Sequence, residues 1–248
     1  MIRPLILGHR GYSARYPENT RLALVKAMEA GADGIELDVD LSCDDVVMVM
    51  HDETVDRTTD GHGPLHDLSY AALRKLNAAK GWTTSAWEPV PTLQEVLNDL
   101  YQVHPHGLYN IEIKVSDGRW REVVDQTLRV CRDHPLRQHI RYSSFHQPSL
   151  EYLLSQDARA QAGLLLTNLP QDLGPLLANK GWIALHLWQG AVDSAVVSRC
   201  HEQGLEVAVY TVDDEETMRR MVQAGVDVMI SNQVGRALDF VASLSRSD

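Results

Sequence analysis

Seven side chains in the first half of the chain, His9, Arg10, Glu36, Asp38, His51, Glu112 and Lys114, have the types and spacing to do acid–base and cation chemistry. In Gly34-Ile-Glu-Leu-Asp-Val-Asp40, the alternation of faces along a strand puts Glu36 and Asp38 on one side and Ile35, Leu37 and Val39 on the other. Asn110-Ile-Glu-Ile-Lys114 repeats the device, so a third carboxylate, Glu112, and an ammonium, Lys114, share a face while Ile111 and Ile113 take the opposite one. Three carboxylates in a partly desolvated mouth repel one another, and they would bind protons unless a cation sat among them. A divalent metal is the economical solution. All three ligands are hard oxygens with no cysteine nearby, which fits magnesium, calcium or manganese better than zinc or copper. His9 ends the apolar run Leu5-Ile-Leu-Gly-His9, and His51 ends Val46-Val-Met-Val-Met-His51. Two imidazoles flanking a metal-bound phosphate make a general acid and base pair near neutral pH. Arg10 and Lys114 would bind its nonbridging oxygens and offset the charge that grows in the transition state.

Singly, each feature has a plain reading. Glu-x-Asp recurs on exposed strand edges, a lone histidine is commonly a hydrogen-bonded core residue, and Glu112 with Lys114 makes an acceptable structural ion pair. Convergence from separate strands is what points to a site. Phe145, His186, Trp188 and Tyr210 close later strands, where they would either line a pocket or pack. His62, His66, His104, His106, His134, His139 and His201 are expected at the surface.

Short runs rich in Val, Ile and Leu alternate with amphipathic stretches, the signature of βα units around a parallel sheet. Candidate strands lie at 5–9, 34–41, 46–51, 108–114, 140–145, 161–167, 182–187, 206–212 and 228–231, one more than a barrel needs. Only Ser42 to Asp45 separate the second from the third, too few residues for a parallel crossover, so the third run must turn back antiparallel. Helical patterns follow the remaining eight at 19–30, 92–101, 119–132, 148–155, 171–179, 193–203, 214–223 and 234–244. The expectation is an α/β protein, one (β/α)8 TIM barrel over residues 1–248, with a small rim insertion at 52–91 marked by Gly61, Gly63, Pro64, Pro89 and Pro91.

With 248 residues, 44% of them hydrophobic and 23% charged, the chain can bury one substantial core. A formal net charge of -11 disfavours an extended nucleic-acid surface, although local cations could still hold a small anion. The opening MIRPLILGHRGY carries neither a signal-peptide core nor a spanning helix, so a cytoplasmic location without stable membrane insertion is expected. Cys43, Cys131 and Cys200 are odd in number and widely spaced, which suits reduced thiols. Nothing in the pattern sets an oligomeric state.

His9-Arg10-Gly11, Pro17-Glu-Asn-Thr20, Glu36-x-Asp38, His51-Asp52 and Glu112-x-Lys114, in this order, resemble the glycerophosphodiester phosphodiesterase family across the whole chain. The resemblance implies that His9 and His51 are the acid–base pair, that Glu36, Asp38 and Glu112 hold the metal, and that Arg10 and Lys114 bind phosphate. It further implies a small-molecule glycerophosphodiester substrate. The glycerol 2-hydroxyl would attack phosphorus, an alcohol would leave, and water would open the cyclic phosphate to glycerol 3-phosphate. The chain departs from the family pattern at Cys43-Asp-Asp45, where Lys-Asp-Gly is usual, at Asp213, where Asn commonly closes the run, and at Ser231-Asn232, where Thr-Asp is frequent. None is expected to touch the metal ligands or the histidines. The last two are placed on the barrel rim, with an effect on substrate preference. The same barrel could instead serve a lysophospholipase D-like or phosphatidylinositol phospholipase C-like enzyme, or a non-catalytic phosphodiester-binding protein.

Overall fold

Nine strands appear in the computed structural model, which describes residues 3–83, 87–170, 174 and 181–244. They are β1 (Leu5–His9), β2 (Gly34–Leu41), β3 (Val47–Val49), β4 (Leu108–Ile113), β5 (Ile140–Ser144), β6 (Gln161–Leu166), β7 (Ala184–Trp188), β8 (Glu206–Tyr210) and β9 (Val228–Ser231). All but β3 pair in parallel in the order β1-β2-β4-β5-β6-β7-β8-β9, and β9 returns to β1, closing a (β/α)8 barrel. The strand expected at 182–187 begins two residues later and runs through Trp188.

The exception positions the site. On one edge of β2, β1 pairs with the lower half, His9 opposite Glu36, and β3 pairs antiparallel with the upper half, Val49 opposite Val39. As β3 runs downward, Met50 N–H donates to the Asp38 carbonyl at 3.0 Å. His9 therefore arrives from below and His51 from above on the same edge of the strand that carries Glu36 and Asp38.

Ile35, Leu37, Val39, Ile111 and Ile113 face outward into the layer beneath the helices, as the alternation requires. These helices are α1 (Arg21–Glu29), α3 (Leu93–Val103), α4 (Trp120–Arg132), α5 (Gln147–Gln156), α6 (Ser194–His201), α7 (Glu215–Ala224) and α8 (Val234–Leu244), with the short α2 (Tyr70–Leu73) preceding α3. Their starts are written in the sequence: Thr20, Thr92, Asp193 and Asp214 each accept a bond from a first-turn N–H, and Thr92 with Glu95 completes a capping box. The helix expected at 171–179 lies, apart from Gly174, outside the described residues. Inside the barrel, Leu7, Ala208, Val228 and Ile230 form a small apolar plug. Below it, Arg141 spans to Glu206 at 2.5 and 3.0 Å. Between β3 and α3, Val55, Leu65, Leu73, Ala78 and Val90 gather with Met48 and Met50 on a core of their own.

Gly34 opens β2 where the backbones crowd, since a Cβ there would lie 1.9 Å from the Leu108 carbonyl oxygen. Overpacking against backbone costs roughly 1–3 kcal/mol. At about 2–4 °C per kcal/mol for a chain of this size, Gly34→Ala is expected to lower Tm by several degrees in a thermal melt. An unchanged Tm would show that β2 and β4 part easily.

Candidate active site

The carboxyl ends of the parallel strands bring Glu36, Asp38 and Glu112 together, with one potential ligand oxygen from each lying within 4.8 Å of the others. Glu36 and Asp38 are almost wholly buried, at 4% and 1% exposure. Glu36 Oε1 and Asp38 Oδ1 have no hydrogen-bond partner, although Asp38 Oδ1 lies 3.4 Å from Lys114 Nζ. Buried, unpartnered carboxylate oxygens converging on one point are what a hard divalent cation requires.

The electrostatics agree. With no cation, burial and the charges of Asp38 and Glu112 push Glu36 well above the usual carboxylate range, and burial with Asp38 pushes Glu112 up to about 7. Burial alone would raise Asp38 too, but Lys114 and Arg10 outweigh it and hold this carboxyl below its ordinary value. A raised folded-state pKa stabilises the fold fully below the unfolded value and loses that contribution as pH climbs through about 7. Metal-free protein is therefore expected to lose Tm between roughly pH 5 and 7.5. The Tm gained on adding Mg2+ or Ca2+ should grow over the same interval, because the ion displaces protons. Melts in EDTA and in excess cation check this, and a gain independent of pH would count against proton displacement.

Arg10 and Asn19 support the cluster from left-handed backbone, each at φ 54, a conformation that Asn tolerates and that strains Arg10. A residue such as arginine pays about 1–2 kcal/mol there. In return the Arg10 N–H donates to Glu36 Oε2 at 3.0 Å, its guanidinium reaches Glu18 at 2.8 Å and Asp38 at 3.5 Å, and Asn19 Nδ2 donates to Asp38 Oδ2 at 2.8 Å. Lys114 Nζ lies 2.8 Å from Glu112 Oε1 and does not line the neighbouring cavity.

That cavity, of about 230 Å³, is lined by His9, Arg10, Glu36, His51 and Glu112, with Asn110, Ser143, Leu165 and His186 among the other lining residues. Phe145 and Tyr210 also line it, edge to face with centroids 6.1 Å apart. Trp188 does not: the residue is 44% exposed and its ring packs against Gly190. His186 is driven down to about 3 by burial and the Arg141 charge, so at neutral pH it carries no charge. His134 is buried rather than superficial, its Nδ1 accepting from Leu136 N–H.

His9 and His51 each have an anchor of their own. His51 Nδ1 lies 2.6 Å from Asp52 Oδ1, and Asp52, held down at about 2 chiefly by Arg57, is gripped by that guanidinium at 2.5 and 3.0 Å. Arg57 also reaches Glu18 at 2.7 Å, which ties the anchor of His51 to the partner of Arg10. His9 Nδ1 lies 2.7 Å from Asn232 Oδ1, and burial with the adjacent Arg10 charge holds this imidazole below its ordinary value. The expectation that the departures at 213 and 231–232 leave the histidines untouched is thus corrected. Barrel closure sets Ser231 opposite Gly8, so Asn232 comes beside His9 although 223 residues separate them. Sequence reasoning missed Ser13, Glu18, Asn19, Arg57, Asp213 and Asn232 as supports; Glu18 and Asn19 lie in the Pro17-Glu-Asn-Thr20 run, and Asp213 and Asn232 stood out there only as departures from the family pattern. In the Cys43-Asp-Asp45 turn, Asp45 takes φ 60, a left-handed conformation that Asp tolerates.

The comparisons point one way. The chain is 34% identical over 242 residues to a glycerophosphodiester phosphodiesterase of Caldanaerobacter subterraneus subsp. tengcongensis, covering 97% of this chain and 98% of that one. It is 30% identical over 246 residues to the enzyme of that name from Bacillus altitudinis, covering 94% and 96%. Among solved structures, an Oleispira antarctica phosphodiesterase in complex with the product sn-glycerol-3-phosphate superimposes with a TM-score of 0.89 at 26% identity, covering 96% of this chain and 97% of that one. No helix among the described residues is long and apolar enough to cross a membrane. A sequence model described as the Glycerophosphoryl diester phosphodiesterase family matches residues 9–236, and the chain belongs to that family of phosphoric diester hydrolases.

Proposed function

We propose that this chain hydrolyses water-soluble glycerophosphodiesters to glycerol 3-phosphate and an alcohol such as choline or ethanolamine, with one divalent cation held by Glu36, Asp38 and Glu112. The observation that carries the reading is the set of buried, unpartnered carboxylate oxygens beside a cavity that two separately anchored imidazoles share. A bound Mg2+, Ca2+ or Mn2+ ion supplies positive charge to the phosphoryl oxygens. Arg10 and Lys114 bind the nonbridging oxygens; with a cation held by Glu112 and Asp38, the Lys114 ammonium that now contacts both carboxylates would be available to phosphate. His9 and His51 form the acid–base pair. One accepts the proton of the glycerol 2-hydroxyl as that oxygen bonds to phosphorus, and the other protonates the departing alcohol oxygen. Water then opens the cyclic phosphate as the two protons return. The product held by the Oleispira enzyme supports this choice of substrate. The three free cysteines fit a reducing cytoplasm, and we read residues 52–91, which bring Arg57 to Asp52, as a rim insertion on a single barrel.

Exposed Phe145 and Trp188, at 49% and 44%, favour a second reading in which a lysophospholipid is also cleaved. The test is purified protein with glycerophosphocholine, glycerophosphoethanolamine or a lysophospholipid, in EDTA or with each cation, read by glycerol 3-phosphate and by phosphatidate-type product. Cation-dependent release of glycerol 3-phosphate is expected. None from any diester with any cation would overturn the proposal.

A further inference from the structure

The orientation of the Asn232 amide is dictated by its neighbours. The Asp213 carboxylate holds it at two points, with Asn232 N–H donating to Oδ1 at 2.8 Å and Nδ2 donating to Oδ2 at 2.7 Å, while Ser231 Oγ donates to Oδ1 at 3.1 Å. An ionised carboxylate only accepts, so the amide must turn its NH2 toward Asp213 and its oxygen away. On that far side Oδ1 lies 2.7 Å from Ser13 Oγ and 2.7 Å from His9 Nδ1. An amide oxygen also only accepts, so Nδ1 must carry the proton. Neutral His9 then keeps its lone pair on Nε2, which lies 3.9 Å from Glu36 Oε2 on the cavity side.

We propose that Asp213 and Asn232 are positioning residues that fix His9 in the Nδ1–H tautomer, making its Nε2 the base that takes the proton of the attacking substrate hydroxyl. This rests on the reading of His9 as one of the acid–base pair, and it divides the roles. The hydroxyl proton passes to His9 Nε2 as the O–P bond forms, the P–O bond to the alcohol breaks, and that alcohol oxygen takes its proton from His51. The polarity runs one way along Asp213, Asn232 and His9 because its first member cannot donate.

Long-range 1H–15N spectra of the labelled protein near pH 8, with the His9 signals identified by their loss in His9→Gln, should show Nδ1 protonated and Nε2 bare. The opposite tautomer would overturn the proposal. Asp213→Asn removes the obligate acceptor and lets Asn232 turn over. It is expected to lower kcat by about tenfold or more, with KM and the cation-induced rise in Tm little changed. Asn232→Asp alone sets two carboxylates face to face and should fall at least as far. The reciprocal pair Asp213→Asn with Asn232→Asp again offers an acceptor to Nδ1–H and an NH2 across from it, so it should recover most of kcat. A merely structural role predicts no such rescue. Wild-type kcat in Asp213→Asn, or a double variant no better than the singles, would overturn the positioning role. An active His9→Ala would overturn instead the reading on which it rests.

Discussion

Alanine at His9 or at His51 is expected to lower kcat by about 10²- to 10⁴-fold, the range that a positioned proton donor or acceptor contributes. The two should fall by comparable factors even though the residues sit on different elements, because the proposed reaction needs a proton removed at one oxygen and delivered at another. Neither change should unfold the barrel. Loss of the His51 imidazole leaves Asp52 held by Arg57, and loss of the His9 imidazole leaves Asn232 held by Asp213. The double variant should be little worse than either single, since once one proton transfer fails the other has nothing to act on. Steady-state kinetics at saturating cation, with circular dichroism and Tm as controls, decide this. A single variant within about fivefold of wild type would show that its residue belongs outside the acid–base pair.

Much of the geometry behind that expectation is legible before any coordinates. The faces of β2 and β4 follow from alternation alone, because Ile35, Leu37, Ile111 and Ile113 must lie under helices if Glu36 and Glu112 are to converge. The reversal of β3 follows from the brevity of Ser42 to Asp45, and that reversal delivers His51 to the edge where His9 ends. What cannot be read is contact made by closure. His9 and Asn232 stand near opposite ends of the chain, and only the pairing of the last strand with the first makes them neighbours. Arg57 is hidden for a related reason: its stretch has no strong period, so nothing local says that it folds back to Asp52 and Glu18. Trp188 shows the opposite failure, a strand-end aromatic that the rise of β7 carries past the cavity to its rim.

Position by position, the two late departures from the family pattern looked like unrelated changes on a rim. Their hydrogen bonds join the two positions directly. A carboxylate at 213 where an amide commonly stands is matched by an amide at 232 where a carboxylate is frequent, and the pair keeps one donor facing one acceptor. Each substitution alone would break that match, so the unit that must be preserved is the pair's complementarity rather than either residue.

Glu36→Gln carries the second large effect, and it moves two observables in opposite directions. The amide oxygen can keep the bond from Arg10 N–H, so the local fold should hold. Removing one of three mutually repelling carboxylates relieves the strain of the cation-free cluster, so Tm in EDTA should equal or exceed that of the wild type near pH 7.5. Its response to Mg2+ or Ca2+ should nearly vanish. Loss of a charged ligand is expected to weaken cation binding by more than the roughly 10–100-fold typical of disturbing a ligand's supporting partner, and kcat/KM at limiting cation should fall at least in proportion. A structural ion-pair cluster with no metal role predicts the reverse, namely lower stability and unchanged cation dependence, because Arg10 and Lys114 would then lose a stabilising anion. Melts and turnover titrated with cation separate the two, and the sign of the Tm change in EDTA reports on the cluster even if activity is lost for another reason.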